Sequence, residues 1–238
     1  MIELRKIQRL AAAGALAAVS AMGAACTSSQ EPATGNQAAS PAVDAAAPAD
    51  EAVAPASSGV TKIGDIFGPA CDRVPRDGAG SPQGMVNESV ATAASHNPLL
   101  SSPDPAAATL VKAVTAANLV DILNDARGLT VFAPYNPAFQ ALEAQHPGIF
   151  KDLTTAPDVT SPDSKLSKIL TYHVVAQRYD AAGMVAAGTL DSMEGAKIKI
   201  GGTAAAPTVN GAPILCGNIP TKNATVFVIG QVLSLPAS

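Results

Sequence analysis

The chain has 238 residues, a formal net charge of −4, 3% aromatic residues with no Trp, and only 14% charged residues. With 15 basic against 19 acidic residues and few stacking rings, it is not built as a nucleic-acid binder. One long apolar run is too few for a polytopic membrane protein, three Cys are too few for a dense disulfide scaffold, and three His leave little room for a His-rich metal centre.

The N-terminus reads as an export signal. Arg5, Lys6 and Arg9 precede an uncharged run of small residues from Leu10 to Ala25, short for a membrane span and suited to secretion. The run ends Gly23-Ala24-Ala25-Cys26, which resembles a bacterial lipobox, with Gly23 where Leu is usual. Residues 1–25 are therefore expected to be a lipoprotein signal peptide and Cys26 the lipidated mature N-terminus. Ordinary cleavage after an Ala, leaving Cys26 as a free thiol, is the competing reading. Residues 26–58 contain no Lys, Arg or aromatic residue and are dominated by Ala, Pro and Ser. So little apolar bulk does not offset the entropy of ordering, so this stretch is expected to be a disordered tether. Removing residues 1–25 takes away Arg5, Lys6, Arg9 and Glu3, leaving 12 bases against 18 acids.

Two cysteines remain in the folded part, Cys71 and Cys216. In an exported chain such a pair is most simply a disulfide. There is no CxxC and no His near either in sequence, which weighs against a catalytic thiol or a metal site.

From Gly59 to Met85 the chain is rich in Gly, Pro and Asp and reads as loop, with one short helix near Ile63–Phe67. A short helix is expected over Asn87–Ser95, stopped by Asn97-Pro98. Leu110, Val111, Val114, Leu119, Ile122 and Leu123 give a helical stripe over Ala106–Asn124, with Asn118 a break point. Leu129–Ala133 is an apolar strand ended by Pro134, and Asn136-Pro137 has the form of an N-cap followed by Pro at the first helical position, starting a helix through Phe139 and Leu142. A further helix runs from Asp163 to Tyr172, capped by Ser161 or Asp163. Short strands then follow at His173–Ala176, Gly188–Ser192, Lys197–Ile200, Thr208–Val209, Pro213–Leu215 and Thr225–Leu233. Asn210-Gly211 is a hairpin turn, and Gly201-Gly202-Thr203 reads as another turn. Helices early and strands late give an α+β domain over residues 59–238.

Three segments stand out together: Thr130–Phe139 (TVFAPYNPAF), Ile169–Val175 (ILTYHVV) and Ala224–Leu233 (ATVFVIGQVL). In this order they resemble the two signature boxes of the fasciclin domain with its Tyr-His motif between them, over residues 86–236. Gly68-Pro69-Ala70-Cys71, Val90–Pro98 and Cys216-Gly217 further resemble the secreted and lipid-anchored fasciclin antigens of mycobacteria and related bacteria. The resemblance implies helices on a twisted β-sandwich or wedge, a Cys71–Cys216 disulfide, and a cell-surface binding or adhesion role. Tyr135, Pro137 and Gly230 depart from the family pattern, which usually has Thr at the first and Asp at the last of these positions.

Tyr135, Asn136, Tyr172 and His173 are the candidate binding residues, Tyr135 as an exposed ring and His173 chiefly as a core residue. No catalytic residue, metal ligand or cofactor is assigned, since GxSxG, HExxH, P-loop and GxGxxG patterns are absent. Asp121 and Asp125 share a helix face and read as solvated; His96 and His146 are placed in loops. Asn223-Ala224-Thr225 fits a glycosylation sequon and is given no role. The expected protein is thus a monomeric domain, exported and held to the membrane by lipid on Cys26, with a protein or glycan partner. The alternative is an envelope scaffold that binds wall polymer or other lipoproteins.

Overall fold

The computed structural model describes residues 59–104 and 106–236. The expected signal peptide, Cys26 and the tether lie outside the described residues. Two short 3-10 turns, Ile63–Asp65 and Cys71–Arg73, open the described chain. They are followed by α1 (Pro82–Met85), α2 (Val90–His96), α3 (Leu110–Ala116), α4 (Val120–Asp125), β1 (Leu129–Pro134), α5 (Asn136–Gln145), α6 (Ile149–Thr154), α7 (Lys165–Tyr172) and β2 (Val174–Val175). The remainder is α8 (Ala181–Ala187), β3 (Thr189–Asp191), β4 (Lys197–Thr203), β5 (Ala206–Val209), β6 (Ala212–Pro220) and β7 (Ala224–Ile229).

Among the described residues, seven strands form one sheet in the order β2-β1-β7-β6-β5-β4-β3. β1 and β7 run parallel, in register from Leu129 opposite Ala224 to Pro134 opposite Ile229, and the other neighbours are antiparallel. Every residue of β1 and β7 is buried, as a strand covered on both faces requires. Their side chains alternate between two cores. Leu129, Val131 and Ala133, with Val226 and Val228, meet Val90, Leu110, Val114, Phe139, Leu166 and Leu170 of the helices. Phe132, Phe227 and Ile229 face the other way, toward Met184 of α8 and Leu190, Ile198, Ile200 and Val209 of the hairpins. The Phe132 and Phe227 rings lie 5.9 Å apart.

The chain breaks where its residues demand it. Asn118 adopts φ 56° and separates α3 from α4; Asn210 (φ 49°) and Gly211 (φ 83°) make the two left-handed residues of the β5–β6 turn. Several boundaries differ from expectation, among them the last strand, which ends at Ile229 and not Leu233, and β6, which runs from Ala212 to Pro220. Helix α7 is capped by Ser164, whose hydroxyl accepts from the Ser167 amide, not by Ser161 or Asp163. Helix α5 begins at Asn136 with Tyr135 in the cap position, because the Asn136 side chain is committed elsewhere. Gly201-Gly202-Thr203 continue β4, paired with Thr208, Pro207 and Ala206. His96 is the last residue of α2, its Nδ1 2.9 Å from the Glu88 carboxylate. Helices α1, α6 and α8 have no counterpart among the expected elements.

The N-terminal segment is strapped across β6. The Gly217 amide donates to the Phe67 carbonyl and the Ala70 amide to the Leu215 carbonyl, and Cys71 is disulfide-bonded to Cys216. A Cβ on Gly217 would lie 2.6 Å from the Phe67 ring, so glycine is what allows that ring to seat. Gly230, where the family pattern has Asp, has its amide on the Pro213 carbonyl and the Pro213 ring packed beside it.

Asn223, dismissed in the sequence, ties three elements together. Its amide nitrogen donates to the carbonyls of Leu123 and Ala126, both at 2.8 Å, and of Asn124 at 3.3 Å. Its side-chain oxygen accepts from the Val90 amide at the start of α2. A glycan on that nitrogen is incompatible with these bonds. Because the site is half-exposed, water replaces part of what is lost on mutation. Asn223→Ala is expected to lower the unfolding free energy by about 2 kcal/mol, read from the urea midpoint. Asn223→Asp, which keeps the shape but sets a carboxylate against three carbonyls, is expected to cost more. An unchanged midpoint in both would refute the anchoring role.

Candidate functional site: the Tyr172–His173 junction and the helical cavities

Helix α7 carries Leu166 and Leu170 into the helical core and delivers Tyr172 and His173 at its end, where the chain turns into β2. The two rings go to opposite sides. Tyr172 is 2% exposed and sits in the hairpin core, its hydroxyl donating to the Lys197 carbonyl at 3.0 Å and accepting from the Asn210 amide at 2.7 Å. Asn210 in turn accepts from the Lys199 amide, so the tyrosine is bound to the left-handed turn it faces.

His173 is 3% exposed, and both ring nitrogens are used. The Leu233 amide donates to Nε2 at 2.9 Å, and Nδ1 lies 2.7 Å from the Ile169 carbonyl. A backbone amide can only donate, so Nε2 is the bare nitrogen and Nδ1 carries the proton. Burial lowers the pKa of this ring to about 4, opposed in part by the Ile169 carbonyl, and the imidazole is neutral at pH 7. The ring thereby fastens the segment after β7 to the end of α7, and the backbone carbonyl of His173 accepts from Phe132 of β1.

The candidate binding residues therefore do not form one surface. Tyr172 and His173 are buried within the fold. Tyr135 is half-buried against the helical core rather than freely exposed. Asn136 is also half-buried: its amide nitrogen donates to the carbonyls of Pro98 and Ser101, and its backbone amide to Leu99. It clamps the turn after α2. Its side-chain oxygen is buried without a partner.

What the sequence did not foresee is the open space on the helical side. A cavity of about 350 Å³ lies between α3, α5, α6, α7 and residues 232–235. A narrower slot of about 70 Å³ runs between α3, α4 and β2 and is flanked by Ile122 and Met193. Leu110, Leu170 and His173 belong to the walls of both. Ile122 and Met193 are 55% and 41% exposed, among the few large apolar side chains left at the surface of the described residues. Asp121 and Asp125 are exposed as expected, and no group of three His, Cys, Asp or Glu among the described residues is placed to hold a metal ion.

A two-core wedge of helices on a mixed sheet, with a Tyr-His junction locking α7 to both, defines the class of protein. The fasciclin-domain family model matches residues 105–236. The immunogenic protein MPB70 of Mycobacterium bovis is 38% identical over 182 residues, covering 73% of this chain and 84% of that protein. The cell surface glycolipoprotein MPB83 of the same species is 37% identical over 181 residues, covering 73% and 74%. Among solved structures, a FAS1 domain pair from the insect cell adhesion molecule fasciclin I has the same fold, with a TM-score of 0.52 at 18% identity. That match covers 64% of this chain and 52% of the pair. The chain belongs to the fasciclin-domain family.

Proposed function

We propose that the chain is an exported, lipid-anchored surface module whose fasciclin domain binds a protein partner. The order of its parts carries this reading. An uncharged apolar run ends at Cys26, an Ala/Pro/Ser-rich stretch follows, and then comes a disulfide-closed domain related to a protein named as a cell surface glycolipoprotein. On this reading residues 1–25 are removed, the lipid on Cys26 holds the chain to the membrane, and residues 26–58 space the domain away from it.

The contact surface moves from the Tyr172–His173 junction to the helical side. There Ile122 and Met193 stand exposed beside an apolar slot, the kind of patch through which protein partners anchor. Tyr135 stays in the proposal through the exposed part of its ring.

The test is retention by the immobilised full-length chain, from extracellular-matrix proteins and from cell-envelope extract in parallel. Retention of a matrix or surface protein is expected, and Ile122→Ser with Met193→Ser is expected to weaken it about tenfold without lowering the urea midpoint. Retention of wall glycan or a sister lipoprotein alone would replace this reading with the envelope-scaffold one.

A further inference from the structure

The 350 Å³ cavity lies at the lower end of the range of small-molecule sites, about 300–1,000 Å³. Its walls decide what it can hold. Phe139, Phe150, Leu153, Leu166, Ile169 and Leu235 present hydrocarbon. The one polar ring inside, His173, has both nitrogens occupied by backbone groups and offers nothing to a ligand. A sugar or a nucleotide would find polar side chains only at the exposed rim, at His146, Lys165 and Ser234, and would lose its water in the interior with no hydrogen bond in return. A hydrocarbon chain gains at every methylene.

The edge of the cavity is different. Lys165, at the first position of α7, and His146, just past the end of α5, both border it and are exposed. Lys165 has no ion-pair partner among the described residues. The Glu143 carboxylate accepts from the amides of Gly148 and Phe150, and Asp163, two residues before Lys165, is turned to solvent with Lys168 at 3.8 Å. An apolar interior with a cation at its edge matches an amphiphile that has one acyl chain and one anionic head. The volume suits a single chain rather than two.

We propose that this cavity is a binding site for a single-chain anionic amphiphile, with the acyl chain between α5, α6 and α7 and the head at Lys165. Residues 232–235 form one wall of the site, held there by the Leu233 amide on His173. The site shares Leu110, Leu170 and His173 with the slot beside the proposed protein contact, but neither Ile122 nor Met193 lines it.

Titration calorimetry on the full-length chain tests this, using decanoate, dodecanoate and tetradecanoate below their micelle concentrations. Saturable one-to-one binding is expected, tightening about fourfold per added methylene until the cavity is full. Lys165→Glu is expected to weaken the carboxylates at least tenfold while leaving the matching neutral alcohols unchanged. Leu153→Trp, which fills the cavity, is expected to abolish binding of both. Ile169→Phe provides a second, gentler block should the Trp variant lose its cooperative thermal transition. Binding of a lysophospholipid in place of the free acid would support the same site and identify its source as membrane lipid. Binding that does not saturate, ignores chain length, or survives both blocked variants would overturn the proposal. None of these readouts depends on a protein partner, so this site can fail while the surface-contact reading stands, and the reverse.

Discussion

Replacing Cys71 and Cys216 together by Ala is expected to remove about 5 kcal/mol of stability, because the bond closes a loop spanning 145 residues. That is comparable to the whole unfolding free energy of many domains. The loss should be localised before it becomes global. The strap from Gly59 to Val74 has its backbone bonds to β6 at Phe67, paired with Gly217, and at Ala70, bonded to Leu215, close to the disulfide itself. Without the bond this strap is the part expected to open first, exposing cleavage sites after Arg73 and Arg76, both already at the surface. Urea unfolding of the oxidised chain, the reduced chain and the double variant measures the global loss, and limited trypsin digestion reads the local opening. The reduced chain separates loop entropy from any packing defect at Cys216, which is fully buried. A difference below about 1 kcal/mol between oxidised and reduced chains would show that loop closure is not what stabilises this domain.

The sequence was most legible where one residue forces one conformation. Asn118 and the Asn210-Gly211 pair need left-handed backbone, and both breaks fall where those residues stand. The alternation of Lys197, Ile198, Lys199 and Ile200 gave the wet and dry faces of β4 directly. Strand β6 was seen only in part, because the positive φ of Asn218 and two register shifts interrupt its period of two. Helix α8 was missed for a related reason: Ala181 and Met184 are its only buried apolar positions, too few to register as a stripe. Helix α6 hid behind His146-Pro147-Gly148, which reads as a stop. Its first amides are held by Glu143 reaching across from α5, a contact no local pattern announces.

The candidate site shows the same division. That Tyr172 and His173 sit where helix becomes strand was readable from the pattern; that both rings point inward was not. Apart from the Ile169 carbonyl, one turn back, their partners Lys197, Asn210 and Leu233 are between 25 and 60 residues away in the chain. The cavity was invisible for a stronger reason, since its walls come from four helices and the segment after β7, and no single stretch carries a sign of it.

Acid should loosen the protein through His173. The buried imidazole has its pKa lowered from 6.5 to about 4, so between those values the unfolded chain binds a proton that the folded chain refuses. Stability is therefore complete above pH 6.5 and falls as the pH drops through this window, by about 3 kcal/mol near pH 4. The geometry says which part gives way. A proton on Nε2 would face the Leu233 amide hydrogen, so the protonated ring can no longer accept that bond, and residues 232–235 lose their attachment to α7. Urea unfolding at pH 7 and pH 4.5 should show the fall in the wild-type chain. It should be much smaller in His173→Gln, with carboxylate effects common to both. An NMR titration of the wild-type imidazole provides the check that needs no variant: protonation with a midpoint above pH 6 would contradict the burial argument. Because residues 232–235 also wall the larger cavity, hydrogen exchange at the Leu233 amide should accelerate over the same pH window, ahead of global unfolding. Protection of that amide at pH 4.5 equal to that of β7 would mean that the ring is not what holds the wall shut.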